Sequence, residues 1–75
     1  MKLETAIQEL FERKGFDDLN SLVSEMADLA VHMGMGAVAF VEELDALKDY
    51  LQEKEEALSD DIFAQIRSAF LGLKS

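Results

Sequence analysis

Glu25, Asp28 and His32 stand at i, i+3 and i+7, a spacing that puts two carboxylates and the chain's single histidine on one face of a helix. Imidazole and carboxylate together can hold iron, zinc or manganese, which makes these three the candidates for a metal site. The Glu-x-x-His pattern of di-iron bundles is absent, because Leu29 occupies the position three residues before His32. A histidine at a helix end, four residues after Asp28, is the plainer reading. His32 with Met33 or Met35 would make a haem-ligand set, yet methionines at core spacing ordinarily fill irregular apolar gaps. No metal or other cofactor is therefore expected. Ser24 and His32 lie eight residues apart, about 12 Å along a helix, too far for a nucleophile and its base. With no cysteine, and with sixteen acids that make chance carboxylate pairs certain, the chain is expected to be non-enzymatic.

A more distinctive pattern is acidic. Glu42, Asp45, Asp49, Glu53 and Glu56 step by three or four residues and so form a ridge on one helix face, opposite Leu44, Leu47 and Leu51. Like charges at this spacing destabilise a helix by about 0.2–0.5 kcal/mol per pair, so the four steps cost about 1–2 kcal/mol that packing must offset. The ridge would extend about 21 Å along a straight helix, enough to meet a basic groove on another protein. The competing reading is a solvated face that keeps the protein soluble.

Composition narrows the classes. The chain has 75 residues, 16 acidic and 7 basic, for a net charge of −9. Clustered lysine and arginine are missing, which argues against direct binding of nucleic acid or of an anionic membrane. Zero cysteines exclude a disulfide scaffold and a thiolate metal site. A hydrophobic share of 49% argues against disorder. The longest uncharged stretch, Leu29 to Val41, falls well short of the ~20 residues a membrane-spanning helix needs. The opening MKLETAIQEL lacks a secretory apolar run, so a cytoplasmic location is expected.

The elements that would carry these residues are helical throughout, and no domain boundary interrupts residues 1–75. Leu3, Ala6, Ile7, Leu10 and Phe11 share one face, and Lys14-Gly15 closes that segment. The spacing predicts an all-α bundle of four segments, about 3–14, 18–33, 37–57 and 60–73, with Asp17 capping the second and Ser59 the fourth.

The junction Met33-Gly34-Met35-Gly36 combines turn-forming glycines with wholly apolar surroundings. Two arrangements bury such a segment: a hairpin whose apolar tip a second subunit covers, which is preferred, or one helix through residues 18–57 that crosses its copy. A chain this small buries little core alone, so a homodimer is expected, with Leu22, Met26, Leu29, Met33, Met35, Phe40 and Leu44 at its interface. The functional expectation is a regulatory or interaction protein that binds a basic protein surface through the acidic ridge, in its sharpest form as a DNA mimic. Alternatives are an adaptor or chaperone that holds an amphipathic helix in an apolar groove around Phe63, Phe70 and Leu73, and a metal- or small-ligand-binding bundle centred on Glu25, Asp28 and His32.

Overall fold

A computed structural model describes residues 2–73, and all regular structure among them is helical. Five helices follow one another: α1 (Leu3–Lys14), α2 (Leu19–His32), α3 (Ala37–Ala46), α4 (Lys48–Lys54) and α5 (Asp60–Gly72). None is long and apolar enough to cross a membrane.

The helix ends have local causes. Gly15, at φ +70°, ends α1 and donates its N–H to the Phe11 carbonyl. Asp18, rather than Asp17, caps α2: its carboxylate accepts the Ser21 N–H at 3.2 Å. Ser59 caps α5 as the sequence predicts, its hydroxyl accepting the Ile62 N–H.

The glycine junction is a hairpin and not a continuous helix. Gly34 adopts φ +69°, which lets its N–H reach the Val31 carbonyl at 3.0 Å and the Met35 N–H reach that of Ala30 at 2.9 Å. That pair of bonds is a Schellman cap, and the following chain turns back into α3.

The segment expected as one helix over 37–57 is divided. Leu47 has ψ near 0°, its N–H is shared between the Glu43 and Leu44 carbonyls, and α4 begins beyond it. Neither glycine nor proline is responsible. Packing explains the bend: α3 lies on α2 and α5, whereas α4 lies on α1, so the apolar stripe must change neighbour at this point. With the bend, Leu44 and Leu51 are both fully buried. The second helix also ends at Lys54, which leaves Glu56 in a turn and Leu58 buried within the loop before α5.

The core runs through all five helices, and Phe40 of α3 stacks on Phe70 of α5 with ring centroids 5.0 Å apart. No polar or charged residue is buried among the described residues. The accessible surface is 4590 Å², against about 4600 Å² expected of a folded monomer of this mass. The Cα radius of gyration, 11.0 Å, likewise matches the ~11 Å of a compact domain. Both values are those of a compact chain of this size.

Candidate interaction surface

Glu25 is committed to holding α2 on α1. Lys14 Nζ and Arg13 Nη1 each lie 3.1 Å from its carboxylate, and the Lys14 hydrogen bond, with Arg13 beside it, holds the carboxyl below its ordinary range. Asp28 and His32 lie exposed further along α2, and no three acidic or histidine side chains converge as a metal site requires among the described residues. Ser24 is exposed, two turns from His32 on the same helix. A cleft of about 170 Å³ between α1 and α2 is closed on one side by the Arg13–Glu25 pair.

The acidic residues of α3 and α4 remain on the surface. Glu42, Asp45, Asp49, Glu53 and Glu56 are all exposed, the first two on α3, the next two on α4 and Glu56 in the turn after it. Asp45 alone of the five has an ion-pair partner among the described residues, the Arg67 guanidinium of α5. Between Glu42 and Glu56 the sequence holds seven acids and two lysines, and neither lysine offsets the row. Lys48 turns toward α5, where its Nζ lies 3.4 Å from Asp60 and 5.5 Å from the centroid of the Phe63 ring. Lys54 lies over the Tyr50 ring at 5.6 Å. Asp60 is thereby held below its ordinary range, chiefly by the Gln52 amide that donates to it at 2.7 Å and then by Lys48. Both lysines thus contact other side chains of the chain, Lys48 half-buried and Lys54 exposed. The carboxylates are left facing water.

The seven positions expected at a dimer interface divide in two. Leu22, Met26, Phe40 and Leu44 are fully buried inside the chain, where α1 and α5 pack on α2 and α5 packs on α3. Leu29, Met33 and Met35 are half-buried and remain within reach of another molecule.

The apolar groove expected around Phe63, Phe70 and Leu73 also takes a different form. Phe63 is buried beneath Lys48 and forms no part of it. An open groove of about 190 Å³ does lie where α2, the glycine turn and the end of α5 meet. Ala27, Ala30 and Ala37 line it together with Val31, Met35, Phe70 and Leu73. Val31 is 78% exposed, Leu73 58% and Val38, next to Ala37, 54%; no other large hydrophobic side chain among the described residues is exposed. The sequence signal for this groove is the alanine spacing at 27, 30 and 37, small residues that leave room between helices. It is easily taken for core filler.

Compared with models of known families, with curated proteins and with solved structures, the chain matches none.

Proposed function

We propose that this protein is a non-enzymatic interaction module that binds a basic surface of another protein through the acidic face of α3 and α4. The observation that carries this reading is the segregation of charge: Glu42, Asp49, Glu53 and Glu56 have no cation partner among the described residues, while Lys48, Lys54 and Arg67 are engaged elsewhere. Unpaired carboxylates on a protein surface attract a cationic partner at long range and influence the orientation in which it docks. A narrower form, a mimic of the DNA backbone, asks for an even row of carboxylates. The bend at Leu47 and the pairing of Asp45 interrupt that row, so the reading stays at a basic protein surface.

The test is affinity capture from the protein's own cell extract, with the wild type and with a Glu42→Lys, Asp49→Lys, Glu56→Lys variant, at low and high salt. A partner held by the wild type, released by salt and absent from the variant supports the reading; capture indifferent to both changes overturns it. The apolar groove favours a second reading, an adaptor that seats an apolar side chain, and capture that survives salt would point to it. Self-association, expected from the size of the chain, is to be read by sedimentation of the same samples.

A further inference from the structure

We propose that the groove between α2, the glycine turn and α5 receives a single large apolar side chain from a lysine- or arginine-rich segment of the partner. The proposal rests on the acidic-face reading and adds to it an anchor. Val31, Leu73 and Val38 are the exposed large hydrophobics among the described residues, and the first two line the groove together with Met35. A gathering of this kind at one concavity marks a contact surface. Its volume, about 190 Å³, sets the size of the occupant. A cavity of about 150 Å³ holds one benzene ring, so this groove takes one leucine, methionine or phenylalanine side chain and not a helix face.

The surrounding charge sets the rest of the occupant's chemistry. Asp28 stands one turn before Val31 on α2, and Glu42 one turn after Val38 on α3; both are exposed, and neither has an ion-pair partner among the described residues. Arg67, one turn before Phe70, is drawn away to Asp45. His32 is the remaining titratable neighbour on α2, and Lys74 follows Leu73 in the sequence. Glu42 also begins the acidic row, five residues along α3 from Ala37 of the groove lining. A second copy of this chain carries the same net charge of −9, whereas a segment with lysine or arginine on either side of its apolar residue meets these carboxylates with opposite charge.

Two fluorescein-labelled twelve-residue peptides of lysine and serine test this by fluorescence anisotropy, one with a single central leucine and one with serine in its place. The leucine peptide is expected to bind about tenfold more tightly, the gain from burying one leucine side chain. The variant Val31→Ser with Leu73→Ser, which leaves charge unchanged at exposed positions, is expected to erase that advantage without altering binding of the serine peptide. Equal binding of both peptides, lost in high salt, overturns the anchor and leaves the acidic-face reading standing. Binding of neither peptide at low salt overturns both. A dimer in sedimentation that the double serine variant disperses also overturns the proposal, because the groove then belongs to a second copy.

Discussion

Arg67 of α5 shares its Nε–H between the two carboxylate oxygens of Asp45 on α3, each 3.1 Å away. The contact joins the last helix to the third and removes one acid from the face that the other four leave unpaired. Arginine is well suited to this, since its planar group keeps its charge at any working pH.

Replacing Arg67 by glutamine separates these two effects. Exposed ion pairs contribute about 0.2–1 kcal/mol, so urea denaturation should show only a small loss of stability. Affinity for the lysine–serine peptide should rise at low salt, because Asp45 then joins Glu42 and Asp49. An unchanged affinity would mean that Asp45 lies outside the binding face.

Phe40→Ala tests whether the apolar spacing serves the inside of one chain or a contact between two. Phe40 is fully buried and stacked on Phe70, and its truncation should cost about 3–5 kcal/mol. The unfolding midpoint of wild type and variant should be independent of protein concentration, as measured by circular dichroism over a hundredfold dilution. A midpoint that tracks concentration would place Phe40 at a subunit contact instead.

Gly34→Ala should destabilise by about 1–2 kcal/mol, the cost of a left-handed backbone conformation for a residue with a β-carbon. Gly34 sits at φ +69° and nothing lies within 4 Å of where that carbon would go, so the effect is purely conformational. Asparagine, which tolerates the left-handed conformation better, should therefore cost less than alanine, a difference that thermal denaturation resolves. An asparagine variant as destabilised as the alanine one would contradict a purely conformational cost.

Acid should weaken the fold through Glu25 and Asp60. Each has a folded pKa below its ordinary value of 4.5 or 3.8, so each stabilises the fold above that value and loses its contribution as the pH falls through the folded pKa. Stability should decline below about pH 4 in urea titrations, and a Glu25→Gln, Asp60→Asn variant should show a shallower decline. A variant curve parallel to that of the wild type would remove these two groups from the acid limb.

Much of the helical architecture was legible from the sequence, because apolar spacing and capping residues are local. The ends of α1 and α5 follow from Gly15 and Ser59. The division at Leu47 was not legible, since no helix breaker stands there; the bend depends on which neighbours α3 and α4 pack against, and those are set by the whole fold. The same limit applies to Leu22, Met26, Phe40 and Leu44. Spacing shows that a side chain needs cover, and it does not show whether α5 or another molecule provides it. The acidic row was visible as spacing alone, whereas the diversion of Lys48 onto Phe63 and of Arg67 onto Asp45 required three-dimensional neighbours.

The packing of α5 against α2 and α3 has a consequence for synthesis. Until residues beyond Asp60 leave the ribosome, the α2–α3 hairpin, closed by its own Schellman cap, holds Leu22, Met26, Phe40 and Leu44 without the cover of α5. Nascent chains stalled or truncated before α5 are therefore the species most prone to join one another or to engage a chaperone. Emergence of the thirteen residues of α5 is the step that covers this hairpin.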